Sequence, residues 1–219
     1  MPLTMKHFHK ITEKLKEADF FLDKMILCER CVDEMNYYFS AFASAARSVT
    51  FVMQYVGSSI EGFSDWYSAV RAKQGADKIS KYLLEARNES QKTGAQPISY
   101  GEVVKLPSGE EKLIHFFSYV GSNPPADIPD IDVLSTCQHQ MKNLVNITAE
   151  FFSQFESAIW NPAKERSEVL EHLNQVKPLV LGGTTPQPMW EQVTAFISSD
   201  RFQPPRPIET IRHLVAKHA

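Results

Sequence analysis

The sequence predicts a mainly α protein, an antiparallel helical bundle with one β-hairpin inserted in it. Three observations carry that expectation. Apolar residues recur at alternating spacings of three and four over most of the chain, one stretch near 97–120 changes to an alternating pattern, and glycines and prolines fall between these stretches. No linker divides the 219 residues, so one domain spanning 1–219 is expected, with an irregular Pro-rich region from about residue 178.

Phe8, Ile11, Leu15, Ala18, Leu22 and Met25 form one stripe on a helix from about Thr4 to Leu27, with Thr4 suited to its N-cap. After a break at Cys28–Asp33 the pattern resumes through Met35, Tyr38, Phe39, Phe42, Ala45, Ala46, Val49, Val52, Met53 and Val56, and stops at Gly57. Two long helices with so short a connection pack antiparallel, and the wide aromatic stripe of the second places it centrally. A third helical region opens near Gly62 with Phe63, Trp66, Tyr67 and Val70. It is interrupted around Gln74-Gly75, resumes through Ile79, Tyr82, Leu83 and Ala86, and ends near Gly94.

Ile98 to Lys105 and Lys112 to Tyr119 flank Pro107-Ser108-Gly109-Glu110, the pattern of a β-hairpin turning at those four residues. A lone two-stranded ribbon is marginal in water, so its apolar side is expected to rest on the bundle. The stretch Asn123–Asp130, with three prolines, makes a rigid connection. A long helix then carries Leu134, Met141, Leu144, Val145, Thr148, Phe151, Phe152, Phe155 and Ile159 on one face. Asn161-Pro162 stops it and starts a shorter helix through Val169, Leu170, Leu173 and Val176. Short helices are expected around Trp190–Ile197 and Ile208–Ala216.

The net charge is −3 and the sequence pI about 6.2, so no global positive field draws the chain to nucleic acid or an anionic membrane. The N-terminal residues lack the apolar stretch of a signal peptide and no segment is apolar enough to span a bilayer; a cytoplasmic protein with no membrane partner is the expectation. Three cysteines fit a reducing compartment better than a disulfide framework. Cys28-Glu29-Arg30-Cys31 is a single knuckle joining two helices. Zinc needs more ligands than it supplies and a thioredoxin-type pair would follow a strand, so connector residues with free thiols are expected, with no metal and no cofactor.

None of the seven histidines forms a His-Glu-x-x-His pattern, and His7 and His9 lie about 200° apart around a helix. His115, on the second strand, reads equally as a buried hydrogen-bonded residue or a general base. Gly182-Gly183-Thr184-Thr185 lacks a P-loop lysine and reads as a turn.

One segment stands out. Between Arg71 and Lys92, six cations (Arg71, Lys73, Lys78, Lys81, Arg87, Lys92) face three carboxylates (Asp77, Glu85, Glu89), a local excess of three on an acidic chain. It reads either as a phosphate-binding surface or as a solvated helix face with pairs such as Lys81 and Glu85. Within it, Glu85-Ala86-Arg87-Asn88-Glu89-Ser90-Gln91-Lys92 resembles the Arg-polar-x-x-x-His signature of the HEPN superfamily. Arg47–Gln54 and Phe63–Tyr67 extend the likeness to uncharacterised bacterial proteins of similar design over about residues 35–95.

The resemblance implies a HEPN-like bundle and a homodimer in which sites from two subunits face each other. Nuclease members use the Arg to steady phosphate charge and the His to move a proton. Here Arg87 and Asn88 match, but Lys92 stands where the His would be, and a lysine holds its proton at neutral pH. The expectation is therefore a degenerate site of Arg87, Asn88 and Lys92 that binds RNA or another phosphate ligand with no catalytic residue. The alternatives are a homo-oligomeric interaction module without a ligand site, and a metal-independent ribonuclease.

Overall fold

The computed structural model of the chain describes residues 6–28, 30–105, 107–118, 128–181 and 187–219. Among them the order is α1 (Lys6–Leu27), α2 (Val32–Gly57), α3 (Phe63–Ala76), α4 (Lys78–Thr93), β1 (Ile98–Lys105), β2 (Glu111–Phe117), α5 (Val133–Ile159), α6 (Pro162–Leu181), α7 (Gln187–Ser198), α8 (Pro207–Thr210) and α9 (Arg212–Lys217). The architecture is mainly α with one antiparallel hairpin, as the periodicity predicts. Thr4, Glu29, residues 123–127 of the Pro-rich connection and the 182–185 turn lie outside the described residues.

The core is built by three long helices. Every member of the α1 stripe, from Phe8 to Met25, is fully buried, and so are Met35, Phe39, Phe42, Val49, Met53 and Val56 of α2. These two helices make the most extensive helix pair among the described residues, an antiparallel hairpin that α5 covers with Met141, Leu144, Val145, Phe151 and Phe152. At one end Phe63 and Trp66 of α3, with Tyr67 packed behind them, meet Phe151 and Phe155 of α5, with ring centroids 5.4–6.0 Å apart where Phe63 and Trp66 edge against or tilt over Phe151 and Phe155 and where those two face each other. The Trp66 indole donates to Glu150 Oε1 at 2.8 Å, so the cluster's polar edge also has a partner.

The hairpin sits on the bundle by its base. Ile98 and Phe117 face each other across the ladder and are both buried, Phe117 against Phe39 and Tyr82, whereas Val103 near the tip is exposed. The turn falls at 107–110, where Gly109 adopts a φ of +86°. A feature the apolar pattern does not announce secures the base. Asn36 is buried on the core side of α2, where it donates to the Ile98 carbonyl and accepts from the Ile98 amide at 3.1 Å. Asn36→Ala orphans both buried backbone groups and is expected to cost about 2 kcal/mol in a urea titration, close to the penalty for two unsatisfied polar groups. An unchanged midpoint would mean that the hairpin takes no anchorage from α2.

Boundaries shift where side-chain hydrogen bonds, rather than apolar spacing, decide them. The break between α3 and α4 is one residue, Asp77, instead of Gln74-Gly75, because the Asp77 carboxylate accepts from the Ser80 amide and starts a new helix. Asp132 does the same for α5 through Ser135. Gly94, at φ +74°, closes α4 where the sequence places the stop. The helix expected to end near Val176 runs to Leu181 and carries Pro178 inside it, since a proline removes one hydrogen bond without dissolving the turns already formed. Within the Pro-rich region from about 178, α7, α8 and α9 supply the short helices expected around Trp190–Ile197 and Ile208–Ala216, and Pro204 and Pro205 lie in the segment between α7 and α8. No helix among the described residues is long and apolar enough to cross a membrane.

Candidate anion-binding site

A cleft of about 240 Å³ opens between α2, α3 and α4. Its α2 wall is Phe42, Ala43, Ala46, Arg47 and Thr50, one helix face. Arg71, Gln74 and Gly75 come from the end of α3, and Ser80, Lys81, Leu83, Leu84 and Arg87 from α4; Gln140 of α5 completes it. The space exists because α2 presents Ala43 and Ala46 where larger residues would fill the gap to α4, so the apolar faces meet without closing.

Four cations therefore line one small cavity. Among the described residues no ion pair ties Arg47, Arg71 or Arg87 to a carboxylate. Arg47 is held by its neighbours on α2: its guanidinium lies 4.0 Å from the Phe51 ring centroid and donates to the Thr50 hydroxyl at 3.3 Å. Burial, and then the positive charges of Arg87 and Arg71, push the Arg47 guanidinium below its ordinary range. Arg87 donates through Nη1 to the Asn88 side chain at 3.1 Å, while its Nε is shielded from water and has no acceptor. An anion entering the cleft would relieve the mutual repulsion of these groups and supply acceptors to their free N–H bonds.

Among the described residues no histidine or carboxylate lines this cleft. Those groups lie on the far side of Ser80, in a neighbouring cleft of about 380 Å³ that shares Gln74 and Ser80 and is lined also by Lys73, Asp77, His139, Asn143 and Glu150. There the Ser80 hydroxyl stands 2.6 Å from Asp77 Oδ2 and 2.6 Å from Gln140 Oε1, tying α4 to α5. His139 Nε2 is 3.3 Å and Asn143 Nδ2 3.1 Å from the same carboxylate oxygen. Burial opposes ionisation of Asp77, but the Ser80 hydrogen bonds and His139 outweigh it and hold the carboxyl below its usual range. The sign follows: this stabilisation is complete above the ordinary carboxylate range and is lost as pH falls through the depressed value. Asp77→Asn keeps an N-cap acceptor and removes only the charge facing His139, so it is expected to cost less than about 1 kcal/mol at pH 7 and to shrink the loss of stability on acidification. Equal acid profiles for the two proteins would show that the cluster does not depend on charge.

Of the residues singled out in the sequence, Arg87 is in the cleft wall, Asn88 positions it, and Lys92 is an exposed residue in the last turn of α4 that does not line the cleft. Arg71 and Lys81, members of the basic segment, do line it. Sequence reasoning gave no role to Arg47 or Gln140, which arrive from α2 and α5. Cys28, Cys31 and Cys137 are free thiols, with Cys137 buried and its thiol pushed well up by that burial.

Residues 28–104, about a third of the chain, match the family model described as bacteriophage lambda protein ea47. No curated protein and no solved structure matches the chain. The matched segment runs from the α1–α2 connection into β1 and contains every cleft residue except Gln140.

Proposed function

We propose that the chain binds the phosphate of RNA or of a smaller phosphate-bearing ligand in the arginine cleft and does not cleave it. The observation that carries this reading is the convergence of Arg47, Arg71 and Arg87, with Lys81, on one cavity without carboxylate partners for the three arginines. Planar guanidinium forks suit phosphate oxygens, and each phosphate contact adds a salt-dependent gain through released counterions. Among the described residues the cleft lining offers no side chain that accepts a proton at neutral pH, which speaks against general-base cleavage of a bound backbone. The HEPN-like assignment belongs to the same proposal and rests on Arg87-Asn88 at the end of a bundle helix, with Lys92 contributing at most a peripheral charge.

The test is binding of a short single-stranded RNA at low salt. Arg71→Ala with Arg87→Ala should weaken it at least tenfold and flatten its salt dependence, whereas Lys92→Ala should change it little. Wild-type protein should leave the RNA intact over hours without metal. Equal binding by wild type and double variant would remove the cleft from the reading, and metal-independent cleavage would replace binding with catalysis.

A homodimer is part of the proposal on separate grounds. On α7, Met189, Val193 and Phe196 share one helix face and are all exposed, an apolar stripe suited to self-association. Sedimentation of wild type against Val193→Glu reads it, with a monomer in both cases refuting the dimer.

A further inference from the structure

We infer that the arginine cleft selects a terminal phosphate monoester over an internal phosphodiester; this deepens the phosphate-binding reading and rests on it. The argument is one of charge within a volume. A cavity of about 240 Å³ has the volume of a sphere roughly 4 Å in radius, room for one phosphate group and part of what it is attached to. Arg47, Arg71, Lys81 and Arg87 all line that space, and Arg47 already feels the repulsion of both other arginines. A phosphodiester brings a single negative charge there. A monoester brings close to two at neutral pH, and it offers three unesterified oxygens in place of two to donors that include the unsatisfied Arg87 guanidinium. With three arginines lacking carboxylate partners, the second charge is neutralised rather than left over.

The other walls suit what the phosphate carries. Phe42, Ala43, Ala46, Leu83 and Leu84 make an apolar side against which a sugar or base edge can lie. Gln74 and Gln140 stand among them as amide donors and acceptors. Such a mixture of apolar wall, few polar groups and concentrated positive charge fits a phosphorylated nucleoside, free or as the phosphorylated end of an RNA strand.

The experiment is a set of competition titrations at one pH and one salt concentration, on the full chain. The probes are adenosine 5′-monophosphate, its phosphate methyl ester, adenosine, inorganic phosphate, and one short RNA with a 5′-phosphate or a 5′-hydroxyl. The monoester should bind at least tenfold tighter than its methyl ester, inorganic phosphate should compete, and adenosine should not. If the source is an RNA end, the 5′-phosphorylated strand gains the same factor over the hydroxyl strand and outcompetes the mononucleotide. If it is a free nucleotide, the two strands bind alike and below the mononucleotide. Either preference should vanish in Arg71→Gln, whose side chain is exposed on α3 and so carries no core packing. Monoester and methyl ester binding equally, yet both weakened in Arg71→Gln, would overturn terminal selection and leave phosphate binding standing. No phosphate probe binding, or binding indifferent to Arg71→Gln, would overturn both.

Discussion

Phe63→Ala is expected to lower the unfolding free energy by about 4 kcal/mol, the scale of emptying a buried aromatic site. The ring is buried at the start of α3, stacked on Tyr67 at 5.2 Å and set edge-on to Phe151 at 5.7 Å, so its removal leaves a cavity that several large side chains frame and none can fill. The same ring covers the last residue of α2. A Cβ placed on Gly57 would fall inside the Phe63 ring's van der Waals envelope, closer than real Cβ contacts come. Glycine is required there by that approach, since its backbone is helical and carries no positive φ. Gly57→Ala alone should therefore be severely destabilising, and in the Phe63→Ala background it should cost little, because the clashing atoms are gone. Urea titrations of the two single variants and the double variant close the cycle. Additive losses would show that Gly57 is needed for some reason other than the ring.

The elements whose burial is periodic were legible. Every residue of the α1 stripe read from the sequence is buried, and the change to alternation at Ile98 locates the hairpin within a residue or two. What escaped was set by single polar side chains. Asn36 occupies a core-facing position on α2 that an apolar count passes over, yet it fastens β1. Asp77 moves a helix boundary past a glycine that looks like the natural stop, because a capping carboxylate gives the new helix a start whereas an exposed glycine only weakens the old one.

The site was half legible for a related reason. Arg87 and Asn88 are adjacent on one helix and were found by their local pattern, and Arg71 and Lys81 by local charge density. Arg47 lies 40 positions before Arg87, and only the crossing of α2 and α4 brings them to one cavity. A signal was present in Ala43 and Ala46, since small residues on the face of a central helix mark where a neighbouring helix comes close without filling the space. The motif resemblance, by contrast, pointed to Lys92, which lies about 140° around the helix axis from Arg87 and does not line the cleft.

Ending the chain after Pro205 is the second large loss expected, about 5 kcal/mol or more in urea titration. The removed residues pack on α5 and, through α8, on α1. Ile211 and Leu214 are fully buried, and truncating such side chains costs about 2–5 kcal/mol each. Charges surround this contact: Lys217 reaches Asp19 at 2.8 Å and Asp23 at 2.6 Å, His218 reaches Asp19 at 2.6 Å, and Arg206 pairs with Glu156 through Nε at 2.7 Å. Lys217 is partly exposed and its pairs contribute about 0–1 kcal/mol; His218 and Asp19 are largely shielded, but the two fully buried apolar side chains carry more, so burial should dominate. Ile211→Ala with Leu214→Ala should then reproduce most of the truncation, while Lys217→Ala should reproduce little of it and lose even that in high salt. The opposite order would mean that the ion pairs, rather than the two apolar side chains, hold the C-terminal helices to the bundle.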